Sequence, residues 1–166
     1  MAEADSGQAS DANGNPALIA AIETALRSNA LPGEDEHFDP ERCALAARLG
    51  AQALAARRPR QPGIVIESAT LPDGVRETRL TLVALANPDM PFLVDSVSAA
   101  FAAEGITVHR LIHPVIAVGR DADGGMHAVS PRGSDAAALE SLIYIEAARI
   151  DARGRRQLRA QLEAVL

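Results

Sequence analysis

The side chains best suited to hold a ligand fall in one short stretch: Asn87, Asp89, Met90, Pro91, Phe92 and Asp95. Asn87 and Asp89 carry the groups that would take a ligand's ammonium at a strand–helix connection, and the other four complete the candidate ligand-binding set. The plainer reading of Asn87 and Asp89 is helix capping, the commonest use of these residue types at such a place, and it is the preferred one. Asp95 falls early in an otherwise apolar helix, where a carboxylate complements the positive helix end. His109 and His113 share a strand face if Pro114 leaves the pleat intact. A metal needs further ligands, none is near, and no metal site is assigned. Glu140 and Glu146 share a face but stand too far apart on an extended strand for joint acid–base work. They read as salt-bridge or subunit-contact residues. Cys43 is the one cysteine, so neither an internal disulfide nor a thiolate cluster can form, and it reads as a small buried apolar residue.

The chain has no lysine, which removes Schiff-base, Walker-type and lysine-base chemistry. It has no G-x-G-x-x-G run and so no self-contained dinucleotide site. No catalytic or cofactor-binding residue is assigned.

A length of 166 residues fits one domain. Hydrophobic residues reach 48% with only 2% aromatic, so the core must be built from Leu, Ile, Val and Ala. Sixteen basic residues face 22 acidic ones, a net charge of −6, which argues against nucleic acid as a partner. Arg57-Arg58-Pro59-Arg60 and Arg153-Gly154-Arg155-Arg156 are short basic clusters and read as solvated faces. Residues 1–14 lack the basic and apolar regions of a signal peptide and read as a disordered tail. No apolar run reaches the length of a bilayer span, and the expectation is a cytoplasmic chain without a membrane partner.

The elements that position the candidate residues follow from punctuation and period. Asn15-Pro16 and Asp39-Pro40 are helix starts. Leu18, Ile22 and Leu26 mark a first helix; Leu45, Leu49, Ala53 and Ala56 mark a second. This helical pair occupies 15–58. The period changes at Ile64, and an α+β domain is expected over 64–166. Ile64–Ser68 and Arg76–Ala86, split by Pro72-Asp73-Gly74, predict a hairpin. A helix beginning near Pro91 carries Leu93, Val97, Ala100 and Phe101 on one face. Ile106–Arg120 predicts a strand bent at Pro114, Met126–Val129 a short return strand, and Leu139–Ile150 a further strand. Leu158, Leu162, Val165 and Leu166 mark a last helix. It runs to the end of the chain with no stop signal, so that boundary reads as artificial. The βαββα order lacks the last strand of a ferredoxin-like sheet. Ile64–Ser68 can occupy that edge from the N-terminal side, giving four antiparallel strands.

Asp89-Met90-Pro91-Phe92-Leu93-Val94-Asp95 followed by Gly105-Ile106-Thr107-Val108 is similar to the opening of ACT domains, amino-acid-sensing modules with a D-x-P-G-hydrophobic loop. The N-terminal region of the large bacterial NAD-specific glutamate dehydrogenases resembles this chain more closely. Asn87–Val97, Val108–Val115, Glu140–Glu146 and the basic linker Arg57–Gly63 carry that likeness. The resemblance implies an ACT-like fold in a polypeptide many times longer, whose distant catalytic domain deaminates L-glutamate to 2-oxoglutarate and ammonia with NAD. Such catalysis uses lysines, which this chain lacks. The implied role is non-catalytic regulation or assembly. The implied partners are the remainder of the polypeptide and other copies of the chain, with an amino acid as effector. No cofactor is implied in this part, and NAD in the whole enzyme. The alternative is a stand-alone ACT-like amino-acid-binding module. A small enzyme in its own right is the weakest reading. Phe92 stands where ACT loops carry Gly, a departure that argues against ligand binding at that loop.

Overall fold

The computed structural model describes residues 15–30, 38–131 and 138–166. The expected tail at 1–14, the stop after the first helix, and most of the loop before the last strand lie outside them.

Helix α1 (Pro16–Asn29) is capped by Asn15, whose side chain accepts from the Ala17 N–H at 3.1 Å, with Pro16 pre-set for the first turn. Its buried stripe is Leu18, Ile22 and Leu26. Helix α2 (Pro40–Ala56) is capped by Asp39, which accepts from the Arg42 N–H at 2.8 Å. Its buried face is wider than the expected stripe and includes Arg42, Cys43, Ala46, Leu49, Ala53 and Leu54, while Ala56 is exposed. Small residues over much of that face let the helix lie close to the sheet.

Strands β1 (Gly63–Asp73) and β2 (Arg76–Pro88) form a hairpin longer than the sequence suggested. Its outer half carries no apolar alternation because it is largely solvated. Pro72 is tolerated there because β1 is an edge strand, and Gly74 takes the positive φ, 62°, of the tight turn. Helix α3 (Leu93–Ala103) buries Leu93, Val97, Ala100 and Phe101, as the period predicts. The three large ones contribute roughly 1.5–3 kcal/mol each.

Strands β3 (Val108–Ile112) and β4 (Val115–Arg120) are two halves of the expected bent strand. Both pair with β6 (Ala138–Ala148) in one register, Ile112 opposite Tyr144 and Val115 opposite Ser141. Pro114 accepts from the Leu142 N–H at 3.0 Å but has no N–H to return, so the ladder breaks there while the register survives. Strand β5 (Met126–Pro131) pairs along β4 and gives the sheet a fifth position beyond the four expected. The order is β1-β2-β6-β4-β5, with β3 also on β6 and every pairing antiparallel. Helix α4 (Ala152–Val165) closes the chain on Leu158 and Leu162.

This is the ferredoxin-like, ACT-like α+β sheet with its edge strand supplied from the N-terminal side. Both faces are covered. Leu80, Leu82, Ala84, Leu142 and Tyr144 join the buried side chains of α1 and α2. Val83, Leu85, Ile143, Ile145 and Ala147 join those of α3 and α4. Double coverage explains why β2 and β6 are near-continuous apolar runs. Among the described residues no helix is long and apolar enough to cross a membrane.

Candidate functional site

The β2–α3 connection gathers the expected residues, but they are engaged with each other and with the sheet. Asn87 is buried opposite Ser141 on β6, and its Nδ2 donates to Met90 Sδ at 3.5 Å. The Asp89 N–H donates to the Leu139 carbonyl at 3.2 Å. Its carboxylate Oδ1 accepts from Ser141 Oγ at 2.9 Å, and Ser141 Oγ lies 2.9 Å from His113 Nε2. Pro91 is exposed, as are Met90 and Phe92, the last at 77%. Asp95 is exposed in the first turn of α3, where its charge suits the helix end.

Capping by Asn87 or Asp89 is overturned. Helix α3 starts at Leu93, its N-cap is Phe92, and no side chain caps it. Phe92 has φ 62°, the left-handed region that favours Gly. The Gly of the ACT loop pattern therefore has a backbone reason here, and Phe occupies that conformation at a steric cost.

The His113–Ser141–Asp89 chain was not legible as a unit, because its members lie on three separate segments. Its order decides what it can do. A nucleophilic serine needs the imidazole between hydroxyl and carboxylate. Here the hydroxyl stands between the other two, and Ser141 is fully buried. With its one proton on Asp89, Oγ accepts from His113, so the imidazole carries hydrogen on Nε2. Burial holds the His113 pKa below its ordinary value, against the opposing pull of the Asp89 carboxylate. The arrangement is a clamp that ties the loop to β6 and to the Pro114 break. His109 lies elsewhere, at a break in the β3–β6 register, and lines a cleft with Arg42 and Arg110.

The second polar feature is a pair of buried carboxylates facing α1 and α2. Glu140 takes two bonds from Arg120, at 2.7 and 2.8 Å, and an ion pair from Arg57 Nη1 at 3.0 Å. Glu146 pairs with Arg42 at 3.2 Å and Arg110 at 3.4 Å, and accepts from the Tyr144 hydroxyl at 3.2 Å. Burial, reinforced by Glu146, pushes the Tyr144 hydroxyl far above its usual pKa. Desolvation lowers the Arg57 pKa, Glu140 opposes the shift, and the neighbouring Arg120 adds to it. Arg110 also lies over the Phe38 ring at 5.0 Å. The salt-bridge reading of the two glutamates therefore holds. The solvated reading of Arg57 does not, since its side chain is only 12% exposed. Six residue steps along β6 separate the glutamates, roughly 20 Å, so they act as two separate fixings.

A family model for the glutamate dehydrogenase ACT1 domain matches residues 25–162. The chain is similar to the NAD-specific glutamate dehydrogenase of Halomonas elongata, 48% identical over 68 residues that make up 40% of this chain and 4% of that protein. It is also similar to the NAD-specific glutamate dehydrogenase of Pseudomonas aeruginosa, 39% identical over 88 residues that make up 52% of this chain and 5% of that protein. These matches thus span only 4–5% of the length of those two relatives. No solved structure matches the chain.

Proposed function

The chain belongs to the glutamate dehydrogenase ACT1 domain family, and we propose that it is a non-catalytic regulatory and assembly domain of a much longer NAD-dependent enzyme that converts L-glutamate to 2-oxoglutarate and ammonia. The family match over residues 25–162 carries this reading. The chemistry of the chain supports it: there is no lysine, and the buried serine beside a histidine and an aspartate is in the wrong order for attack. NAD on this reading belongs to the rest of the polypeptide. The β2–α3 loop serves as a packing joint, since Asn87 and Asp89 already hold protein partners. The exposed side chains of Met90, Phe92 and Leu139 are then the surface it offers to the remainder of its own polypeptide or to another copy of the chain.

Two measurements test the proposal. The purified chain, given L-glutamate and NAD, should form no NADH by absorbance. An antibody raised against it should detect a native polypeptide far above 17.4 kDa. Turnover by the chain alone would overturn the non-catalytic assignment. A native band at the chain's own mass would overturn the long-enzyme assignment and leave the stand-alone module.

A further inference from the structure

We propose that the cleft between the outer part of the β1–β2 hairpin and the start of α4 binds a small multivalent anion, one bearing at least two carboxylate or phosphate groups. The cleft has a volume of about 430 Å³, and its polar lining includes Ser68, Thr70, Arg79, Arg149, Asp151 and Arg155. Three guanidinium groups face one carboxylate there, in a chain whose net charge is −6.

The opposite sheet face treats its arginines differently. There, Arg42, Arg57, Arg110 and Arg120 all pair with Glu140 or Glu146. In the cleft, neither the Arg79 nor the Arg149 side chain makes a hydrogen bond or ion pair among the described residues. Asp151 offsets only one of the three positive charges. Its carboxylate caps α4, accepting from the Gly154 N–H at 2.7 Å. Arg155 is fixed at the rim by two bonds that use the same nitrogen, Nη1, to Ser68 Oγ at 2.9 Å and to the Ile150 carbonyl at 3.3 Å. The rest of its fork keeps the geometry that recognises carboxylate or phosphate.

Strand register adds an independent observation. Leu80 and Ala148 form the last β2–β6 pair, and Arg79 and Arg149, the residues next to that pair on each segment, both line the cleft. Alternation along β2 puts Arg79 on the α4 side, with Val83. Like charges that line one cleft repel. A multivalent anion between them turns that repulsion into binding energy. The site lies at the other end of β2 from the Asn87–Phe92 loop, eight residues or roughly 27 Å away. The inference is therefore independent of the role proposed above.

The test is calorimetric titration of the chain at low ionic strength with citrate and with pyrophosphate, using acetate as the monovalent control. Saturable one-to-one binding of either probe is expected, weakened at least tenfold by Arg79→Gln and by Arg149→Gln. Arg156→Gln, an exposed arginine of the same helix outside the cleft, should leave it unchanged. Citrate alone binding assigns a polycarboxylate; pyrophosphate alone assigns a phosphoryl compound; both together assign the shared anion chemistry. Without the probe, Arg149→Gln should melt no lower than the parent, and the probe should raise the parent's Tm but not the variant's. Absence of saturable binding, acetate binding as tightly, or an equal loss in Arg156→Gln overturns the proposal.

Discussion

Glu140 and Glu146 are charges taken out of water, at 1% and 2% exposure, and each is held by two arginines. Removing one partner of such a set leaves the others charged and unpaired, which costs about 3–5 kcal/mol. Glu140→Ala should therefore lower the unfolding free energy measured by urea denaturation by an amount in that range, because Arg57 and Arg120 lose the one carboxylate that each pairs with among the described residues. A change below about 1 kcal/mol would mean that water reaches them. Phe92 presents the opposite case. Its ring is exposed and its backbone is left-handed, so Phe92→Gly relieves a strain of roughly 1–2 kcal/mol against an entropic loss of about 0.5–1 kcal/mol. A small rise in Tm is expected, and a fall would show that the ring is packed. His113 gives a pH dependence. Its folded pKa lies below the unfolded value of about 6.5, so between the two the unfolded chain holds more protons. Stability from this group is full above the unfolded pKa and is lost as pH falls through the folded one. Urea titrations between about pH 7 and 5 should show that loss, and His113→Gln should flatten it.

At the scale of elements, α2 and β1 meet where only glycine fits. A Cβ on Gly63 would lie 1.8 Å from the Ala53 carbonyl oxygen and 3.0 Å from the Arg57 nitrogen. Both are backbone atoms, so no rotamer change can make room. Gly63→Ala should lever the end of α2 off the sheet and cost at least about 1–3 kcal/mol by chemical denaturation. Much of the element pattern was legible because burial imposes period. Leu18, Ile22 and Leu26, and likewise Leu93, Val97, Ala100 and Phe101, announce their faces by spacing alone. What escaped had no periodic signature. Residues 69–73 of β1 are largely solvated, so the hairpin looked shorter than it is. Arg42 sits on the buried face of α2 because Glu146, 104 residues later, receives it. The Asp89–Ser141 bond spans 52 residues and depends on strand register, which local spacing does not encode.

The whole molecule is a sheet with two dry faces, and this bears on where it can be cut. The period change at Ile64 invites a division into a helical pair at 15–58 and a sheet-bearing unit at 64–166. Two sets of contacts cross that line. Leu80, Leu82, Ala84, Ile112, Ile116, Leu142 and Tyr144 share one core with α1 and α2. The carboxylates of Glu140 and Glu146 each draw one arginine from before residue 64, Arg57 and Arg42, and one from after it, Arg120 and Arg110. Deleting the first 63 residues would uncover a contiguous apolar face and leave two partly compensated charges within it. The piece 64–166 should bind an apolar dye, unfold without a cooperative transition and aggregate, whereas 15–166 should unfold in one step. The dye and aggregation readouts separate loss of the cover from simple loss of helix. A monomeric 64–166 that melts cooperatively would instead make the helical pair a separable domain. The Glu140 and Glu146 clusters would then have to be satisfied by Arg120 and Arg110 alone.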